Sequence, residues 1–215
     1  MKNFKSGAQM EKKWNERYQE EAFAYGTEPN QFFKEQLLKL KAGSLLMPAD
    51  GEGRNGVFAA CKGWQVTSCD LSVEGKLKAT KLAEANGVAL EYIVGDLEAL
   101  HFEKEIFDTI GLIYAHFSAE KKSQLHKKLD TLLKPGGIII LEAFSKNHIH
   151  FNQRDPKIGG PKNIDMLYSK EEVMADFKNY KFLHLEEKEI QLNEGKYHIG
   201  TGSVIRFIGR KPIHS

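Results

Sequence analysis

Cysteine, proline, charge of one sign and long apolar runs are all scarce in this chain, and each scarcity narrows what it can be. Cys61 and Cys69 are the only cysteines in 215 residues, and no C-x-x-C spacing joins them. Nothing here frames a disulfide-stapled secreted domain or a cysteine metal centre, so both read as small buried hydrophobes in a reduced setting. No apolar run approaches the ~20 residues that span a bilayer. The start, Met1 to Ala8, lacks the apolar centre of a signal peptide. Lys and Arg number 31 against 29 Asp and Glu, a net charge of +2, which leaves no general field to recruit nucleic acid or an anionic membrane. The Lys121-Lys122 and Lys127-Lys128 pairs read as a solvated helix face. The expectation is a cytoplasmic protein with neither nucleic acid nor membrane as a partner.

What is present is 41% apolar residues, enough for one well-buried domain. Trp14 and Tyr18 sit at helical spacing within Met10–Glu21, Tyr25-Gly-Thr-Glu-Pro29 is a turn, and Phe32, Phe33, Leu37 and Leu40 mark a second helix. The period then changes. Short apolar strands are predicted at Leu45–Pro48, Gln65–Cys69, Leu90–Val94, Phe107–Ile113 and Gly137–Ala143, alternating with helices at Asn55–Lys62, Val73–Asn86 and Ala119–Leu133. Lys134-Pro-Gly-Gly137 reads as the stop after the last of these. Ser145 to Asp165 has no period and reads as a long loop. Ser169-Lys-Glu-Glu172 has capping-box spacing for another helix through Phe177. Two last strands, Phe182–Leu192 and Gly202–Gly209, read as a hairpin. The pattern predicts an α/β, Rossmann-like, mostly parallel seven-stranded sheet with helices on both faces and a C-terminal antiparallel hairpin. It is read as a single domain over 1–215, with 1–43 a helical N-terminal cap.

The strand Ser44–Pro48 runs into Gly51-Glu-Gly53-Arg-Asn-Gly56, and the next strand ends in Asp70. Glycines at such a turn let a ligand approach the backbone, helix N–H groups beyond it point at the ligand, and a carboxylate on the following strand can grip a ribose diol. Gly95-Asp96-Leu97 ends the third strand in the same way, with an acid for an adenine amine and an apolar face beside it. Each item has a plainer reading: the glycines as a packing turn, Asp96 as an Asx turn. Together they describe a nucleoside crevice.

These strand ends, with Leu133-Lys-Pro-Gly-Gly137 and the closing hairpin, resemble the class I S-adenosylmethionine-dependent methyltransferases over nearly the whole chain. Trp14-Asn-Glu-Arg-Tyr18, Tyr25-Gly-Thr-Glu-Pro-Asn30, Pro48-Ala-Asp-Gly-Glu-Gly-Arg-Asn55, Ile113-Tyr-Ala-His116, Gly159-Gly-Pro161 and the ending Val204 to Pro212 look like a bacterial small-molecule branch. That branch is related to the tellurite-resistance and thiopurine methyltransferases. The resemblance implies S-adenosyl-L-methionine as cofactor and a small-molecule methyl acceptor. It places Gly51 and Gly53 against the methionine part, Asp70 on the ribose with Leu71 beside the adenine, and Asp96 and Leu97 at the adenine edge and face. Ile113 and Tyr114 would border the sulfonium and acceptor. Arg54 and Asn55 would anchor the cofactor or close its turn, with Arg17 and Tyr25 as further contributors. The sequence departs from the class at strand one: Met47 stands at the usual acid position and Ala49 at the first glycine. An ordinary negative φ would accommodate Ala49, and Asp50 becomes a displaced carboxylate for the cofactor's ammonium.

His116, just past the fourth strand, is the candidate acceptor-side base alongside Tyr114, with helix capping as its plain alternative. His148 and His150 could line the acceptor mouth; no third ligand completes a metal set with them. His198 in the terminal hairpin is equally open. Two alternatives stay open for the chain: a degenerate S-adenosylmethionine-binding domain, and an NAD-dependent oxidoreductase, which the glycines and Asp70 suit equally well but for which no Tyr-x-x-x-Lys segment is found. Oligomeric state and the receiving atom are not legible.

Overall fold

The structure, a computed structural model, describes residues 7–213; Met1 to Ser6, the greater part of the stretch read for a signal peptide, lie outside it. Seven strands form one sheet: β1 (Ser44–Pro48), β2 (Gln65–Asp70), β3 (Glu91–Val94), β4 (Phe107–Ile113), β5 (Leu133–Phe144), β6 (Lys181–Glu194) and β7 (His198–Arg210). Their order is β3-β2-β1-β4-β5-β7-β6. Strands β1 to β5 pair in parallel, and β7 lies antiparallel between β5 and β6. The order reverses at β1, which pairs with both β2 and β4, and this is where open α/β sheets leave a ligand crevice at their C-terminal edge.

Alternation along the strands explains the two-sided core. Leu46, Ile110, Leu112, Ile139 and Leu141 face one layer, where Leu125, Leu129 and Leu132 of α5 (Ala119–Leu132) and Val173 of α7 (Lys170–Asp176) pack with Phe177 beyond it. Leu45, Met47, Ile138 and Ile140 face the other, against Phe32, Phe33 and Leu37 of α2 (Gln31–Leu37) and Ala59 of α3 (Arg54–Cys61). Helix α1 (Gly7–Tyr18) lies on α4 (Val73–Ala85). Among the described residues no helix is long and apolar enough to cross a membrane.

Two sequence expectations change. The segment Lys134–Gly137 does not separate helix from strand: α5 ends at Leu132 and β5 begins at once, because Leu133 is already extended (φ −82, ψ 132) and pairs with Phe107. The aperiodic stretch after β5 is not a plain loop. It carries short helical turns at 146–148, 156–158 and 164–166 and the short helix α6 (Ile149–Asn152). Side-chain caps begin the last two of the three turns: Asp155 accepts the Lys157 N–H at 2.9 Å and Asn163 the Asp165 N–H at 3.1 Å. Such local caps leave no apolar period to read.

Candidate cofactor and acceptor site

The turn after β1 is tighter than its sequence suggests. Ala49 has φ 54, the left-handed region, which contradicts the expectation of an ordinary negative φ. An L side chain there costs roughly 1–2 kcal/mol. Gly51 (φ 57) and Gly53 (φ 81) continue the turn into α3. A Cβ on Gly53 would stand 2.4 Å from that of Ala79 in α4, and one on Gly51 2.6 Å from the Tyr18 hydroxyl. The glycines therefore admit the protein's own neighbours to the turn. Asp50 and Glu52 leave it in different directions. Asp50 lies beneath it, accepting the Ser68 hydroxyl at 2.7 Å while its Oδ1 has no partner. Burial pushes its pKa up to about 7. Glu52 accepts the Ala24 N–H at 2.8 and 3.1 Å and Lys78 Nζ at 2.8 Å, tying the chain after α1 to α4.

The end of β2 meets this turn directly. Asp70 accepts the Gly51 N–H at 3.1 Å and the Ser72 N–H at 2.9 Å, and burial pushes its pKa up to about 6. Leu71 follows, half-buried. Asp96, at the end of β3, is half-buried; it accepts the Glu98 N–H at 3.0 Å in an Asx turn and faces Lys121 at 3.7 Å. Leu97 is buried in the core with Leu125 and Leu129. Two tyrosines close the turn, of which Tyr92 was not placed there by the sequence. Tyr92 of β3 donates its hydroxyl to the Gly51 carbonyl, and Tyr18, stacked on Trp14 at 5.5 Å, covers Gly51.

Past β4 a second cluster forms. Ile113 is buried, and Tyr114 has φ 52. The Tyr114 hydroxyl donates to Glu142 at 3.0 Å, and the same carboxylate accepts Asn30 Nδ2 at 2.6 Å and Arg206 Nε at 2.6 Å. Glu194 accepts Arg54 Nη2 at 3.0 Å, Asn30 Nδ2 at 3.3 Å and His198 Nδ1 at 2.9 Å. Burial alone would raise the Glu194 pKa, but the His198 hydrogen bond and the Arg54 charge outweigh it and hold it down at about 2. Arg54 also donates to the carbonyls of Tyr25 and Glu28, both at 3.3 Å, and Asn55 Oδ1 accepts the Asn30 N–H at 2.9 Å. Both side chains thus fasten the strand of chain between α1 and α2 onto the start of α3. Arg17 donates to the Tyr25 hydroxyl at 3.2 Å and lies 3.7 Å over the Tyr197 ring.

The histidines differ in what their nitrogens do. His116 Nδ1 meets the Met166 carbonyl at 3.1 Å, and Nε2 accepts the Phe144 N–H at 3.4 Å. Burial pushes its pKa down to about 3. His148 is buried, bonded to the Gly159 carbonyl at 3.1 Å and the Ser203 N–H at 3.3 Å; His150 is exposed. Glu142, Glu194, Asn30 and Arg206 carry the polar network here and were not singled out as site residues from the sequence. Each sits in an ordinary strand or turn, and only the fold brings them together.

The chain is similar to known proteins in sequence and in fold. The methyltransferase-domain family matches residues 46–137, from β1 to the start of β5. The chain therefore carries a stretch similar to a methyltransferase domain. Over 110 residues, 48% of the chain, it is 32% identical to malonyl-[acyl-carrier protein] O-methyltransferase 2 of Ilyobacter polytropus, and it spans 41% of that relative's length. Solved structures share the fold over most of the chain. One described for the conversion of a disulfide bond into a thioacetal group during echinomycin biosynthesis has a TM-score of 0.77 and 18% identity, covering 96% of this chain and 94% of the other. TehB of Haemophilus influenzae has a TM-score of 0.68 at 16% identity, covering 94% of this chain and 66% of its own. A SAM-dependent methyltransferase of Methanosarcina mazei has a TM-score of 0.66 at 19% identity, covering 86% and 100%.

Proposed function

We propose that the chain is an S-adenosylmethionine-dependent methyltransferase acting on a small-molecule nucleophile. The observation that carries this reading is the convergence of the glycine turn, Asp70 and Asp96 on one edge of a sheet whose central stretch matches the methyltransferase-domain family. The donor set suits an adenosine-bearing cofactor. Asp70, buried and already pointing both oxygens at N–H donors, is an acceptor set for a diol, and Asp96 stands half-exposed where an exocyclic amine can reach it. When bound, S-adenosylmethionine supplies an electrophilic methyl carbon with a neutral thioether as its leaving group.

The roles of this chain's residues follow. Gly51 and Gly53, packed against Tyr18 and Ala79, shape the turn along which the methionine part would lie; Asp50, beneath the turn, holds its floor through Ser68. Leu71 and Leu97 flank the base. Arg54 and Asn55 act through the segment they fasten, keeping the cap over the crevice. Ile113 and Tyr114 border the acceptor. Holding an acceptor in line is worth up to ~7–11 kcal/mol of barrier in favourable cases. His116, with both ring nitrogens spent on backbone, fixes the segment beside Tyr114. The curated relative methylates an acyl-carrier-bound acceptor by its name, but this chain spans less than half of it.

A thermal-shift comparison tests the reading. S-adenosylhomocysteine at a hundredfold excess over its Kd is expected to add about 2.7 kcal/mol of unfolding free energy, and NAD none. Stabilisation by NAD alone would replace the methyltransferase with an oxidoreductase; S-adenosylhomocysteine binding without turnover on any acceptor would leave a degenerate binder.

A further inference from the structure

Three histidines, His126 and His148 buried and His116 half-buried, have both ring nitrogens committed. His116 and His148 each bond two backbone groups, and His126 lies between Asp176 at 2.7 Å and the Tyr168 hydroxyl at 3.3 Å. His198, at the start of β7, differs. Its Nδ1 meets Glu194 at 2.9 Å, and among the described residues Nε2 has no hydrogen-bond partner. The ring is 4% exposed and sits 4.6 Å from Tyr114, 4.6 Å from Tyr25 and 5.1 Å from Phe144, centroid to centroid. Tyr114 directly follows β4, at the place proposed for the acceptor. A base oriented by a third group and placed beside the reacting position is the arrangement that general-base catalysis requires.

We propose that His198, oriented by Glu194, is the general base of this site, and that its acceptor is a protic nucleophile carrying its own hydrogen on oxygen, nitrogen or sulfur. The inference rests on the methyltransferase reading and deepens it. With Glu194 ionised and accepting from Nδ1–H, the lone pair of the neutral imidazole lies on Nε2. As the acceptor's X–H bond breaks, its proton passes to Nε2 and its electron pair forms the bond to the methyl carbon; the carbon–sulfur pair leaves on sulfur as a thioether. The imidazolium then rests against the Glu194 carboxylate and later releases its proton to water.

The groups facing His198 support this sense of transfer. Glu194 of β6 pulls its pKa up, while burial, Arg54 of α3 and Arg17 of α1 push it down, with a net lowering. Tyr25 and Tyr114 flank it as neutral phenols, each with its pKa raised by burial. His116 and His148 also face it, both held neutral at pH 7 by burial. His198 is therefore neutral and proton-accepting at pH 7, and its base form is lost as pH falls.

The test begins with the intact protein bound to S-adenosylhomocysteine. Imidazole nitrogen NMR at pH 7.5 is expected to show His198 as the Nδ1–H tautomer with a bare Nε2. An Nε2–H tautomer or an imidazolium at that pH overturns the proposal, and this arm needs no acceptor and no variant. The second arm follows tritiated methyl transfer to a phenol (3,4-dihydroxybenzoate), an amine (tyramine) and a thiol (4-nitrothiophenol). On whichever probe is turned over, His198→Gln is expected to lower kcat by ~10²–10⁴-fold, with the Kd for S-adenosylhomocysteine within about twofold, and to erase the acid limb of the kcat–pH profile. Glu194→Gln should shift that limb and lower kcat less. A kcat within threefold of the parent and an unmoved acid limb would mean that the His198–Glu194 pair only fastens the hairpin. Failure to bind S-adenosylhomocysteine at all would sink the methyltransferase reading instead, so the two failures are distinct.

Discussion

At the β1–β3 end of the crevice, Asp50 and Asp70 are buried with only a hydroxyl and backbone N–H groups as partners, whereas at the β5–β7 end Glu142 and Glu194 each face an arginine. The first arrangement leaves carboxylates whose burial is uncompensated, and their pKa values rise to about 7 and about 6. The second compensates burial with charge, and Glu194 falls to about 2. On the proposed reading, a cationic cofactor bound at the β1–β3 end would favour the ionised forms of Asp50 and Asp70. A half built to hold several chain segments together must pair its charges internally. Each half also keeps one non-glycine residue at positive φ, Ala49 and Tyr114, at the end of its strand.

The largest effect that separates the halves belongs to Glu142. It joins β5 to β7 and to the segment before α2, so Glu142→Leu takes the nearest carboxylate from Arg206 and Asn30. Breaking a buried pair costs about 3–5 kcal/mol, read as a lower midpoint in urea; a loss under ~1 kcal/mol would show that the network is incidental. Next comes the pH response of the other half. A folded pKa raised above the unfolded ~3.9 means stability present in full below pH 4 and lost as pH climbs through about 6 and about 7 for Asp70 and Asp50. The melting temperature of the free protein is expected to fall between pH 5 and pH 8, and Asp50→Asn to flatten that fall. Glu194 works in the opposite sense: its stabilisation is complete above its unfolded value and disappears only as pH drops toward 2. The smallest effect is Ala49→Gly, expected to gain about 0.5–1 kcal/mol, the relief of left-handed strain less the extra unfolded-state entropy of glycine. A destabilised variant would place the strain elsewhere.

The same division governs what could be read in advance. The sheet, its helices and the hairpin were legible because strand alternation and helical spacing are local. So was the β1–β3 end: Gly51, Asp70 and Asp96 each occupy the end of a strand, and strand ends can be found in sequence. The β5–β7 end was not. Asn30 reaches Glu142 and Glu194 across 112 and 164 residues, and Arg54 reaches Glu194 across 140. No periodicity carries that information, because it arises only when β7 inserts between β5 and β6. Position after β4 pointed to His116, which the fold then ties to backbone on both sides. His198 looked like any hairpin histidine until Glu194 was seen beside it. The Ala49 conformation was hidden for another reason: the register of the turn puts a left-handed residue where the amino acid itself gives no sign.

Calorimetric titration of S-adenosylhomocysteine into the protein and into Asp70→Asn tests the central claim most directly. The account predicts one site on the parent chain and a Kd weakened at least about tenfold in the variant, the loss of a charged hydrogen-bond acceptor, with both proteins equally folded by circular dichroism. Equal affinity for the two proteins would contradict it, because the nucleoside would then lie somewhere other than the edge where β1 and β2 end.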